Sequence, residues 1–230
     1  MEEDEMKFII DDANVEKIKE ICEYYPVDGV TTNPSILAKS KRNPYEVLKE
    51  IREIIGDEKE LHVQVVSQQA KDMVEEGRKI VDTLGENTYV KVPVTQEGLK
   101  AIKELSKEGY KITATAIYMP MQAFLAGKAG ADYAAPYVNR IDNLGADGVG
   151  TAKRIHDIFK KNNLKTEVLA ASFKNSQQVL ELCEYGIGAS TISADVILGL
   201  IKNASVSSAI EAFTADFEGL CGNGKTMLDC

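Results

Sequence analysis

The feature that most constrains this chain is a rhythm: strand-like and helix-like runs alternate eight times before a last helix. "KFIIDDA" (Lys7 to Ala13) reads as a strand, and "NVEKIKEICEYY" then carries Val15, Ile18, Ile21 and Cys22 on one helical face. "GVTTN" is a second strand, ending at Asn33. "NPYEVLKEIREII" is a helix with Asn43 as N-cap and Pro44 at its first position. "LHVQVV", "TYVKVP", "KITATAIY", "DYAAPYV", "TEVLAAS" and "ASTIS" follow as strands, each with a helix-like segment behind it. Thr95 opens the helix after "TYVKVP", and Gly109 closes it. "NRIDNLGADGVG" reads as a polar loop, and "ADVILGLIKN" as the helix after the eighth strand. Eight βα units in a chain of this length predict a (β/α)8 TIM barrel with an extra C-terminal helix, "SSAIEAFTADFEGL". A doubly wound open sheet is the alternative. It calls for a glycine-rich fingerprint after the first strand, and "DDANVE" has none.

The 230 residues suit one domain, 1–230, with residues 206–230 as C-terminal helix and tail. A net charge of −9 argues against non-specific nucleic-acid binding but leaves room for a local basic pocket and an anionic substrate. No apolar run is long enough to span a membrane, and "MEEDEMKF" lacks the order of a signal peptide, so a cytoplasmic protein is expected. The four cysteines, Cys22, Cys183, Cys221 and Cys230, show no metal spacing and read as reduced thiols. A disulfide across the tail "CGNGKTMLDC" is weakly motivated. His62 and His156 have no partner at ligand spacing, so no metal site is expected.

In such a barrel, chemistry gathers at the C-terminal ends of the strands. Lys91 is the hardest residue there to explain away. In "YVKVPV" it shares a strand face with Tyr89 and Pro93, opposite Val90, Val92 and Val94. Barrel strands are covered on both faces, so Lys91 is expected in the interior. Burying an ammonium costs several kcal/mol unless it is paired or neutralised. Desolvation lowers a lysine pKa, and the neutral amine attacks carbonyls. The alternatives are an ion pair with Asp11 or an amine snorkelling to the mouth. Asp11, ending the first strand, reads as a proton relay or as a helix cap, a task Asp12 or Asn14 could equally take. Pro34 holds Asn33 extended, which fits a fixed polar group or a cap. Arg140 could clamp an anion, with donors from Ser172 and Lys174. It could instead pair with Asp142 or Asp147. Lys174 alone reads as a surface charge, and "MPMQAF" as packing.

Five ordered motifs, "GVTTNPSI", "YVKVPVT", "GLKAIKELSKEG", "APYVNRID" and "LAASFK", together resemble the transaldolase family in its short-chain, fructose-6-phosphate aldolase-like branch. The resemblance runs from about Met6 through the final helix. It implies a class I aldolase barrel with Lys91 as the Schiff-base lysine. It implies contacts to substrate hydroxyls and the lysine from Asp11, Thr32, Asn33 and Ser172, and a distal phosphate held by Arg140 and Ser172, with Lys174 nearby. Relatives acting as transaldolases typically carry glutamate where this chain has Gln64, and phenylalanine where it has Tyr137. The aldolase branch carries Gln and Tyr, and there Tyr137, Gln64 and Thr115 hold a water for proton transfer. The implied reaction is cleavage or formation of the C3–C4 bond of a phosphorylated ketose such as fructose 6-phosphate. The alternatives are transfer of a dihydroxyacetone unit between sugars, or an imine-free phosphosugar isomerase or binding barrel. No metal or organic cofactor is implied. A homo-oligomer, pentamer or decamer, is implied through the C-terminal helix. Ser193 stands where relatives usually have proline. "MEEDE" (residues 1–5) precedes the usual family start and is expected to be a disordered extension.

Overall fold

A computed structural model describes residues 5–230, so most of the expected N-terminal extension lies outside the described residues. The chain divides into two compact units, one ending at Ile197 and one spanning Leu198–Cys230. In the first, eight parallel strands close into a barrel in sequence order. They are β1 (Lys7–Asp11), β2 (Gly29–Thr31), β3 (Glu60–Gln64), β4 (Thr88–Pro93), β5 (Ile112–Ile117), β6 (Tyr133–Pro136), β7 (Glu167–Ala170) and β8 (Ala189–Ile192). Pairing of β1 with β8 through Ile9 and Thr191 completes the ring.

Among the described residues ten helices accompany the strands of this unit: α1 (Val15–Tyr24), α2 (Pro34–Ala38), α3 (Pro44–Ile55), α4 (Ala70–Leu84), α5 (Gln96–Lys107), α6 (Pro120–Ala129), α7 (Val138–Asp142), α8 (Gly148–Lys161), α9 (Ser176–Tyr185) and α10 (Ala194–Ile197). Their caps follow the sequence. Asn43 accepts from the Tyr45 amide at 2.9 Å, and Thr95 from the Gly98 amide at 2.9 Å. Two elements were not expected. The five-residue α2 follows Asn33, whose Oδ1 accepts the Ile36 amide at 3.0 Å. The five-residue α7 occupies the first part of the expected polar loop and carries Arg140. Helix α10 is also shorter than the expected "ADVILGLIKN", because only Ala194–Ile197 holds helical bonds. Met119 and Met121, expected to pack, are 58% and 59% exposed at the start of α6.

Two glycines let helices grip the strand that carries Lys91. A Cβ on Gly77 of α4 would sit 3.2 Å from a Val90 methyl, and one on Gly98 of α5 would sit 1.9 Å from the Pro93 carbonyl oxygen. The outer face of β4, Val90 and Val92, is fully buried under these helices. The inner face therefore has no choice but to point Tyr89 and Lys91 into the barrel. Ile9, Tyr89, Tyr133, Ala135, Leu169, Ala171 and Ala189 pack together there, with Tyr137 against them. Burial of each large member contributes about 2 kcal/mol.

The second unit holds one helix, α11 (Ala204–Cys221), capped by Asn203 and without a buried residue. Ile210 and Phe213 are exposed. All four cysteines are free thiols. Among the described residues no helix is long and apolar enough to cross a membrane.

Candidate active site

Lys91 is 5% exposed. Its amine donates to the Thr32 carbonyl oxygen at 2.8 Å. Among the described residues it takes part in no salt bridge. The buried ion pair with Asp11 is therefore not the resting arrangement. Burial pulls the Lys91 pKa below the ordinary lysine value, and the Asp11 charge opposes this only in part. An amine lowered in pKa, held by one backbone acceptor and buried beneath the barrel mouth, has the setting that nucleophilic attack on a carbonyl needs.

Asp11 ends β1 and accepts a hydrogen bond from the Thr31 hydroxyl at 2.8 Å. Thr31 in turn lies 2.6 Å from the Thr191 hydroxyl. Capping of α1 falls to the neighbours: Asn14 accepts the Lys17 amide, and Asp12 the Ala13 and Asn14 amides. Asp11 is thus left to face the interior. Burial raises its pKa, and Lys91 and the Thr31 bond hold it back. A carboxylate of raised basicity near an amine of lowered basicity is the pairing proton transfer needs.

Tyr137, just past β6, shares a hydrogen bond with Thr115 of β5 at 2.9 Å. Thr115 is fully buried, and Tyr137 half-buried. Gln64 sits opposite Lys91 in the β3–β4 register, half-buried at the mouth. The β5–β6 ladder slips between Ala114 and Ile117, and Ala116 adopts a φ of 59°. Ser172, just past β7, has a φ of 65°. Left-handed backbone costs a residue with a Cβ about 1–3 kcal/mol, and here two such residues stand at the C-terminal ends of two strands.

Arg140 on α7 lies over the Tyr137 ring, 4.5 Å from its centroid, and is exposed. Its interaction with the Tyr118 side chain holds its pKa above the ordinary value. Tyr118 meets the Tyr137 ring edge-on at 5.6 Å. Neither aspartate considered as its partner is available. Asp142 accepts from the Gly148 amide and the Gln178 side chain, and Asp147 caps α8 through the Gly150 amide. A charged fork held by aromatic neighbours is suited to an anion.

Thr32 is fully buried, and its hydroxyl is engaged with the His62 carbonyl at 3.2 Å. What it offers Lys91 is its carbonyl. Asn33 caps α2 through its oxygen, at the foot of the same loop. Lys174 is exposed, and its amide donates to Gln178. The Ser193 carbonyl accepts the Val196 and Ile197 amides at the head of α10. Thr31 and Tyr118 were not singled out for a role in the sequence. Their signal was position at a strand end, shared with a dozen bland neighbours. Among the described residues no cluster of three His, Cys, Asp or Glu side chains could hold a metal ion.

The chain matches the family described as Transaldolase/Fructose-6-phosphate aldolase over residues 8–228. It belongs to that family. It is an enzyme chain of that family by its similar proteins as well. It is 43% identical over 213 residues to a probable transaldolase from Methanococcus maripaludis, covering 93% of this chain and 98% of that one. It is 41% identical over 220 residues to a probable transaldolase from Clostridium botulinum, covering 96% and 100%. It is 41% identical over 213 residues to a probable fructose-6-phosphate aldolase from Streptococcus pneumoniae, covering 92% and 96%. Among solved structures, a flavocytochrome b2 mutant with pyruvate bound superposes with a TM-score of 0.60 at 12% identity, covering 82% of this chain and 56% of that one. The 3,6-anhydro-D-galactonate cycloisomerase from Zobellia galactanivorans superposes at 0.56 with 14% identity, covering 82% and 53%. The chain thus spans about half the length of these structures, and the likeness is one of fold.

Proposed function

We propose that this member of the transaldolase/fructose-6-phosphate aldolase family is a class I aldolase acting on a phosphorylated ketose such as fructose 6-phosphate. The observation that carries the reading is Lys91, buried, without a salt bridge among the described residues and lowered in pKa. Its amine adds to the C2 ketone, and the carbinolamine loses water to give an iminium. Asp11 takes the C4 hydroxyl proton. The C3–C4 bond breaks, its electron pair flows to the iminium nitrogen, and glyceraldehyde 3-phosphate leaves. An enamine of dihydroxyacetone remains on Lys91. Water held by Tyr137, Gln64 and Thr115 protonates its carbon, and hydrolysis frees dihydroxyacetone and the amine. Arg140, with Ser172 and Lys174, holds the phosphate, while Asn33 and the Thr32 loop meet the substrate hydroxyls. No metal or organic cofactor enters this scheme.

A second reading is favoured by the relatives named probable transaldolases. Here the enamine attacks a second sugar aldehyde instead of taking a proton. Formation of dihydroxyacetone from fructose 6-phosphate alone supports the aldolase. Strict dependence on an added acceptor such as erythrose 4-phosphate contradicts it and supports transfer. The exposed apolar residues Ile210 and Phe213 of α11 support the further reading of a homo-oligomer. Sedimentation of the purified protein as a monomer would remove it.

A further inference from the structure

His62 is among the buried ionisable groups that the mechanism leaves unused. His62 is fully buried in the barrel interior, on the strand that faces Lys91. Barrel layers are ordinarily filled by bulky apolar side chains. An imidazole here must have both nitrogens satisfied, and it has. Nε2 is 3.2 Å from Glu60 Oε2, and Nδ1 is 2.8 Å from the Thr113 hydroxyl. Since a carboxylate only accepts, Nε2 carries the hydrogen and Nδ1 takes the Thr113 proton. Burial keeps the ring below the ordinary histidine pKa. The ring also stacks on Tyr89 at 4.6 Å with an 11° tilt.

The Thr113 and Tyr89 contacts tie β3 to β5 and β4, and the Glu60 contact braces the ring within β3. Thr113 is the register partner of Lys91, and Tyr89 precedes Lys91 by two residues on the same face. The backbone of His62 then completes a path to the amine. Its carbonyl accepts the Thr32 amide at 2.9 Å and the Thr32 hydroxyl at 3.2 Å. The Thr32 carbonyl accepts from Lys91 Nζ at 2.8 Å. That bond restricts where the amine can point.

We propose that His62, clamped between Glu60 and Thr113, is a positioning residue that locks β3 and, through the Thr32 carbonyl, aims the Lys91 amine. The proposal rests on Lys91 as the nucleophile. The charged and titratable groups around the ring are Lys7 from β1, Glu60 from β3, Tyr89 and Lys91 from β4 and Tyr133 from β6, and burial pushes both tyrosines up, keeping them neutral. Displacement of a reacting group by about 1 Å costs roughly 100-fold in rate. Loosening the clamp should lower kcat and also admit water to Lys91, moving its pKa back towards the ordinary value.

The test compares wild type with His62→Phe, which keeps the stack and loses both hydrogen bonds, and His62→Gln, which can restore one. The substrate is fructose 6-phosphate, with erythrose 4-phosphate added if turnover requires it. Folding is checked by circular dichroism. Failure of borohydride to label Lys91 in the wild type would sink the nucleophile reading and the proposal with it. With labelling intact, H62F should lose roughly tenfold or more in kcat with little change in KM, and the acid limb of its kcat/KM–pH profile, which reads the free amine, should move to higher pH. H62Q should recover part of the loss. A folded H62F with wild-type kcat and an unmoved acid limb overturns the proposal. If H62F does not fold, Thr113→Val, which removes only the hydroxyl, must show the same kcat loss and limb shift, and its absence overturns the proposal equally.

Discussion

Among the described residues two lysines on the barrel strands, Lys7 and Lys91, lie near carboxylates at opposite ends and are treated in opposite ways. At the lower end, Lys7 Nζ meets Glu60 Oε1 at 2.5 Å. Glu60 also accepts from Tyr89 and Tyr133, both at 3.2 Å, and from His62. Burial alone would raise the Glu60 pKa, but the His62 and Lys7 contacts outweigh it and bring it down to about 2. Burial likewise pulls Lys7 down, and the Glu60 bond and charge reverse it to a raised value. At the upper end, Asp11 and Lys91 feel each other's charge without bonding, and burial wins: the acid is raised, the amine lowered. The lower pair is kept charged and adds stability. In the upper pair burial works against both charged forms, which costs stability and brings the two groups closer in proton affinity.

Substitutions at the two ends should therefore separate activity from stability. The largest effect belongs to Lys91→Met, which removes the proposed nucleophile. Turnover should fall by about 10⁴-fold or more while thermal stability holds or rises, because an uncompensated buried amine is replaced by an apolar chain. Steady-state kinetics beside a melting curve reads both. Asp11→Asn should follow, with a loss in kcat of about 10²–10³-fold and, again, no loss of melting temperature. A drop of several degrees in either variant would mean the upper pair stabilises the fold.

Glu60→Gln should do the reverse in kind. Because the folded pKa lies near 2 against an ordinary 4.5, the group stabilises the fold above pH 4.5, and that stability is lost as pH falls towards 2. The contribution is on the order of 3 kcal/mol, and breaking a buried pair by removing one partner is of the same size. Urea unfolding at pH 7 and at pH 3 should show the variant's deficit shrinking as the wild type loses its own advantage. A deficit unchanged between the two pH values contradicts the assignment. The smallest effect is Lys7→Met. The side chain is 44% exposed, so solvent screening leaves about 1 kcal/mol or less in unfolding free energy and nothing in turnover.

The two ends were not equally legible in the sequence. The barrel was, because its evidence is the repeated alternation of apolar period, and errors of a residue or two at element ends leave the count of eight intact. Lys91 was legible because a charge in a Val-rich strand conflicts with burial on both faces. Helices α2 and α7 were not: five residues span little more than one turn, too short for an amphipathic period. The lower cluster was missed although its signal was present. Glu60, His62 and Gln64 occupy alternate positions of one strand, and so share the face that Lys91 faces. Read singly, His62 looked bland. Its meaning comes from Thr113 and Tyr89, 51 residues away on β5 and next door on β4, which no local pattern brings together.

The most direct test of the contrast is chemical. The protein is incubated with fructose 6-phosphate, reduced with borohydride, digested and sequenced by mass spectrometry. The account predicts one ketose- or dihydroxyacetone-derived adduct, on Lys91, and none on Lys7, whose ammonium stays paired with Glu60. No adduct, or an adduct on another lysine with Lys91 unmodified, contradicts it.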